Sequence, residues 1–212
     1  MDIEVLATWC AGLDADVLAL QEVDVGLPRS GGVDTVAAVA EASGGEAFFA
    51  PALEIDGGRY GNALIVKGSL HETEVIRLER VRGDERRSLG LARVQLSAGE
   101  VTIGFTHLAV NPFSARRQLR AAAAAAAQRG SPTILLGDFN LDGFDARRVL
   151  QRANSPLELC GPMAPSFPAA RPLRRIDHIC VGGLSAGPTE PLARAPVSDH
   201  LAVRCRLTLA AK

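Results

Sequence analysis

The sequence predicts an α/β fold in which two packed β-sheets carry helices on their outer faces. Three observations predict it. Short apolar segments rich in Val, Ile and Leu alternate with a few helical ones, first mixed, then mostly strands, then helix and strand again. Hydrophobic residues make up 47% of the 212, enough for a sizeable core. Compact polar clusters end several apolar segments, as expected where strands deliver side chains to a shared edge.

The elements follow in order. From Asp2 to Leu13, Ile3, Leu6, Ala7, Cys10 and Leu13 share one helical face. Val17 to Leu20 reads as a buried strand that ends in Gln21-Glu22. Asp34 to Ser43 reads as a helix with Asp34 as N-cap and Gly44 past its end. Strands are expected at Ala47–Ala50, Asn62–Val66, Glu74–Leu78, Leu89–Leu96 and Val101–His107. Asn111 and Pro112 open a helix that runs through an alanine tract to Gln128, with Gly130 beyond it. Alanine is the strongest helix former, so the tract is helix and not linker. Thr133–Leu136 is a strand, Asp145–Arg152 a helix, Asn154–Arg175 a Pro-rich loop, and Ile176–Val181 and Leu201–Leu209 the last strands. No linker divides the chain, so residues 1–212 are expected to form one domain.

Composition narrows the function. The net charge is −1, which lacks the basic excess of a dedicated DNA binder, although a local patch remains compatible with it. Nearly all the cations are Arg; Lys67 and Lys212 are the lysines. Cys10, Cys160, Cys180 and Cys205 lie far apart with no CxxC pair, which excludes zinc-knuckle spacing and favours free thiols in a reducing compartment. The acidic start has no apolar h-region behind it, and no apolar run has membrane-spanning length. A cytoplasmic setting is therefore expected.

The polar clusters are Gln21-Glu22-Val23-Asp24, Thr106-His107, Gly137-Asp138-Phe139-Asn140, Ile176-Asp177-His178 and Ser198-Asp199-His200. Glu22, Asp138, Asn140 and Asp199 form a hard-oxygen set suited to Mg²⁺ or Mn²⁺ rather than Zn²⁺. His107 and His200 add groups that titrate near neutrality. Together they can position and activate a water and stabilise charge on a phosphate. Taken singly, each is as well explained by structure: Glu22 as a surface acid, Asp138 and Asn140 as an Asx turn, His107 as a bonded core histidine, Asp199 as a turn cap. Ser198 lies outside any GxSxG elbow, which argues against a serine hydrolase.

In combination the motifs LQEVD, GNALIV, THL, GDFN, IDHI and SDH, from Leu18 to Val203, resemble the endonuclease/exonuclease/phosphatase superfamily. The resemblance implies a four-layer α/β sandwich, two central mixed sheets flanked by helices. It implies a divalent cation, Mg²⁺ or alternatively Mn²⁺, and a phosphoester substrate: nucleic acid, small phosphodiester, phospholipid or sugar phosphate. Glu22 would ligate the metal, with Asp199 a further metal-side carboxylate. Asp138 would orient and deprotonate water, and Asn140 would contact phosphate or metal. His200 would stabilise phosphate charge, held by Asp177, and His107 would be a second phosphate-side histidine. Asn62 would line the site and Glu85 would orient His107. Apart from the resemblance, Arg116, Arg117 and Arg120 either face phosphate or coat a helix. His178 should point away from Asp177 by strand alternation and be structural.

The family pattern also begins with a strand that ends in an asparagine. No matching residue precedes Glu22, so the chain is expected to be N-terminally truncated, with the edges of two neighbouring strands exposed. A catalytically inactive binding module is the competing expectation.

Overall fold

The structure, a computed structural model, describes residues 2–130, 132–161, 164–192 and 194–209. Eleven strands and four α-helices are seen among them. The order is α1 (Ile3–Gly12), β1 (Val17–Val25), α2 (Thr35–Ser43), β2 (Glu46–Ile55), β3 (Gly58–Val66), β4 (Ser69–Arg77), β5 (Ser88–Leu96) and β6 (Gly99–His107). Then follow α3 (Pro112–Gln128), β7 (Thr133–Asp138), α4 (Gly143–Arg152), β8 (Glu158–Leu159), β9 (Asp177–Gly182), β10 (Leu184–Pro191) and β11 (Val203–Leu209).

One layer is a continuous mixed sheet in the order β4-β5-β6-β7-β9-β8, where only β6 and β7 run parallel. The facing layer comes in two pieces, β2-β3-β1 and β10-β11. Three apolar clusters mark the interfaces. Phe105, Ile103, Leu64 and Val94 fill the space between the β layers. Leu6, Cys10, Val39 and Ile65 join α1 and α2 to one outer face. Leu119, Leu135, Phe139 and Leu150 join α3 and α4 to the other. Two central sheet layers flanked by helices are the sandwich expected.

Local chemistry sets the helix ends. The Asp34 carboxylate accepts from Ala37 N at 2.9 Å, and Gly44 closes α2 in the left-handed region at φ 64°. Asn111 accepts from Phe113 N at 2.9 Å ahead of Pro112. The alanine tract lets α3 lie close on the sheet, with Ala115, Ala122, Ala123 and Ala126 fully buried.

Several strands exceed their expected bounds, because apolar alternation ends before the backbone pairing does. β2 and β3 extend as a hairpin to Ile55 and Gly58, and β4 begins at Ser69. β10 has no signal in the sequence: Gly187, Pro188 and Pro191 interrupt it, as an edge strand tolerates.

The second layer is split between the β2-β3-β1 piece and the β10–β11 pair. β2 sits over β4 and β5, β3 over β5 and β6, β1 over β6 and β7, and β10 and β11 over β9. β1 pairs only with β3 and β11 only with β10 among the described residues. Beneath the split, Leu136 of β7 and its register partner Ile179 of β9 are only half-buried, although their strands are central. Among the described residues β1 therefore has one unpaired edge, and so does each strand of the β10–β11 pair.

Candidate active site

Strand register builds the centre. His107 pairs with Asp138 across the parallel β6–β7 ladder, and Asp138 pairs with Asp177 across β7–β9. Three of the expected site residues therefore stand side by side at the ends of adjacent strands, about 5 Å apart. His178 lies one residue on and points to the opposite face. It is buried against Phe139, bonds the Leu141 carbonyl at 2.8 Å, and burial first of all lowers its pKa to about 4.

Gly137 allows the close approach of β7 to β6. Its φ is 142°, and a Cβ there would meet Thr106 O at 1.8 Å. After Phe139 the chain turns at Asn140, which adopts φ 49°. Its N–H donates to Asp138 Oδ1 at 2.8 Å, and its amide donates to Leu108 O at 3.0 Å and lies 3.1 Å from His107 Nε2. Glu22 also has a positive φ, 58°, inside the bulge that shifts β1 against β3 between Leu20 and Val23. The bulge turns its carboxylate to within 3.5 Å of His107 Nδ1, with 59% of the side chain exposed.

His200 is held from two sides. Its Nδ1 donates to Asp177 Oδ2 at 2.9 Å, and the Phe167 ring lies 4.6 Å away. The Pro-rich loop, featureless in sequence, does this work. Ala169 N donates to Asp199 O, Leu201 N donates to Ser166 O, and Ser166 Oγ donates to Asp177 Oδ2 at 2.5 Å. His200 Nε2 stands 4.0 Å from Asp138 Oδ2.

The electrostatics differ across the centre. Burial, then the Asp177 charge, push Asp138 up to about 7, against the Asn140 amide, His200 and Arg87. Burial works to lower His200, but the Asp177 bond and charge, with Asp138 and Asp199, hold it above its ordinary value. Burial, then the Arg87 charge, lower His107 to about 3, so it is neutral and its 3.5 Å approaches to Glu22 and Asp138 are not ion pairs.

Asp138, Asp177 and His200 bring ligand-type atoms within 4.8 Å of one another. With the Asp177–His200 bond in place, the cation-facing groups are the carboxylates. Glu22 lies on the β1 rim, and Asp199 is exposed on the segment before β11. An oxygen-lined, acid-rich edge, where burial and then the Asp177 charge raise Asp138 to about 7, fits a hard divalent cation whose charge would relieve that crowding.

The outlying expected residues are placed as follows. Asn62 is buried and donates to Ser88 O at 3.5 Å, tying the two layers together. Glu85 pairs with Arg87 at 2.9 Å, and Arg87, not Glu85, reaches His107. Arg116 pairs with Asp145 of α4 at 2.6 Å, and Arg117 with Glu79 at 2.5 Å. Arg87, Ser166 and Tyr60 enter the site unannounced by the sequence. The Tyr60 hydroxyl is held protonated by burial and then by the charges of Glu22 and Glu85.

Fold and centre together define a class: a two-sheet sandwich with a carboxylate–histidine cluster on its strand ends. The chain belongs to the Endonuclease/Exonuclease/phosphatase family, whose profile matches residues 2–200. Solved structures agree in fold. An endonuclease/exonuclease/phosphatase family protein from Bacteroides thetaiotaomicron is 18% identical, with TM-score 0.79, covering 99% of this chain and 89% of that one. A mannosyl-6-phosphatase of the same organism is 17% identical, with TM-score 0.78, at 98% and 90% coverage. D. rerio TDP2 complexed with a single-strand DNA product is 16% identical, with TM-score 0.71, at 97% and 92% coverage. No curated protein matches by sequence.

Proposed function

We propose that this protein is a divalent-metal-dependent hydrolase of phosphodiester or phosphomonoester bonds, acting by in-line attack of a water. The observation that carries the reading is the row His107, Asp138, Asp177 with His200 above it, in which Asp138 is pushed up to about 7. A carboxylate poised there accepts a proton from water near neutrality. His200, raised above its ordinary pKa against burial by the bond and charge of Asp177, donates from Nε2 to a phosphoryl oxygen as negative charge grows. Asn140 and the Nε2 face of His107 line the same edge. Glu22, Asp138, Asn140 and Asp199 would hold Mg²⁺ or Mn²⁺, which would polarise the phosphate.

A sugar phosphate for one structural relative and single-strand DNA for another favour a phosphoester substrate, and the absence of a basic excess leans the choice towards a small one. The four unpaired cysteines suit a reducing, cytoplasmic setting. Among the described residues no helix is long and apolar enough to cross a membrane. We take residues 1–212 as one domain. The second reading, an inactive binding module, draws on Glu22 and Asp199 standing exposed on the two sides of the split in the second layer.

The test is hydrolysis of bis-p-nitrophenyl phosphate, mannose 6-phosphate and single-strand DNA with Mg²⁺ or Mn²⁺ against EDTA. Metal-dependent turnover that disappears in Asp138→Ala supports the enzyme. A folded, strand-completed protein inert on all three substrates favours the binding module.

A further inference from the structure

α3 and α4 open on the same pattern. Asn111-Pro112-Phe113-Ser114-Ala115-Arg116-Arg117-Gln118-Leu119 and Asp142-Gly143-Phe144-Asp145-Ala146-Arg147-Arg148-Val149-Leu150 share a capping residue, Phe, Ala, Arg-Arg and Leu at matched positions. Packing accounts for the shared Ala and Leu: Ala115, Leu119, Ala146 and Leu150 are buried in the core beneath the helices. It does not account for the shared Phe and Arg-Arg. Phe113 is 59% exposed and Phe144 71%, and they are the two exposed phenylalanines of the seven. The four matched arginines are exposed as well.

The fold sets the two copies side by side. Each helix follows a strand that ends at the site, α3 after β6 and α4 after β7, and these strands are parallel. The Asn140 amide donates to Leu108 O at 3.0 Å and ties the two connecting loops together, while Arg116 bonds Asp145 at 2.6 Å across the helix starts. Both rings thus stand on first turns beside the catalytic edge, with Val110 71% exposed in the loop ahead of Phe113.

Between the helices lies a groove of about 290 Å³ lined by Arg116, Asp145, Arg148, Val149 and Arg152. On α4 these residues follow the i, i+3, i+4, i+7 spacing of a single face. Arg116 takes up Asp145, and the guanidiniums of Arg148 and Arg152 have no partner among the described residues. Like charges four residues apart oppose each other on a helix, so the pair is a cost to the fold alone. Together the two helices hold six arginines against one acid, an excess concealed in a net charge of −1. Exposed flat rings with unneutralised guanidiniums behind them match a ligand that carries planar rings on a phosphate chain. A sugar phosphate would leave the rings unused, and a lipid surface calls for a wider apolar face than two rings and Val110 offer.

We propose that the α3–α4 rim is a nucleotide subsite: Phe113 and Phe144 stack bases, and Arg148 and Arg152 take a phosphate of a single strand whose scissile bond lies at the centre. For the scissile bond the inference rests on the hydrolase reading, but binding can be read without turnover. The experiment is fluorescence anisotropy of a labelled short oligothymidylate in EDTA, so that no cation contributes. Phe113→Ala/Phe144→Ala should weaken binding roughly 5–150-fold and leave its slope against log salt unchanged. Arg148→Gln/Arg152→Gln should weaken it and lower that slope by about 1–2. An abasic strand of equal length should ignore the phenylalanine change. All four substituted side chains are exposed, so circular dichroism should match the wild type. A wild type that does not bind oligothymidylate overturns the proposal, and so does binding that both double variants leave unaltered. Tighter binding to phosphatidylserine vesicles, lost with the phenylalanines, also overturns it and makes the rim a lipid surface. A protein inert towards every phosphoester removes the hydrolase reading and leaves the binding result standing.

Discussion

The two β layers contribute unequally to the centre. The six-stranded sheet delivers His107, Asp138 and Asp177 in one register row, with His107 and Asp138 buried and Asp177 half-buried. The divided layer delivers Glu22 from a bulge in β1 and Asp199 from the segment ahead of β11, and both are exposed. A side chain fixed by neighbours on both sides of its strand has one position. A side chain on a free edge has several. The half of the site proposed to move protons is thus pre-set, and the half that would hold a cation is left open by the split.

Substitution should expose this asymmetry. Asp138→Asn removes the proposed proton acceptor from the complete layer. Turnover is expected to fall by about 10²–10⁴-fold, and added metal should not recover it. Glu22→Gln on the divided side is expected to cost about 10–100-fold and to be recovered largely by raising Mn²⁺. Steady-state kinetics against metal concentration check both. Equal losses, or equal recovery, would dissolve the distinction between the layers.

Filling the split should shrink it. A version extended at its N-terminus by a strand that enters between β1 and β11 should bury Leu136 and Ile179 and satisfy two edges. A gain of roughly 2–4 kcal/mol by urea denaturation is expected, with slowed amide exchange in both β1 and β11. Exchange that slows in neither strand would mean that the split is closed in some other way.

The same asymmetry explains what the sequence makes legible. Residues at the ends of regular strands, such as His107, Asp138 and Asp177, sit where apolar runs stop, so a reader finds them. The helix caps Asp34 and Asn111 are equally plain, because one side chain satisfies one orphan amide locally. Arg87 is not legible: two residues from Glu85 in a run of charges, it reads as surface, and only tertiary packing buries it against His107. Ser166 and Phe167 are hidden for a related reason, since a Pro-rich loop carries no period to show what it grips. β10 escapes because an edge strand needs neither alternation nor freedom from proline.

The smallest effect should come from the far face of the complete sheet. His178 is buried behind Asp177, bonded to Leu141 O, and neutral in the fold, with its pKa lowered to about 4 chiefly by burial. The unfolded chain restores a value near 6.5, so between these limits the unfolded state binds more protons and stability rises with pH. The contribution is present in full above about 6.5 and is lost as pH falls towards about 4. His178→Gln should keep a donor for Leu141 O, flatten that slope by on the order of 2 kcal/mol across the window, and leave turnover at neutral pH close to wild type. Urea denaturation from pH 4 to 7 measures it. An unaltered slope would assign the acid sensitivity to the catalytic face of the sheet, and a large loss of turnover would mean that the two faces of β9 are not independent.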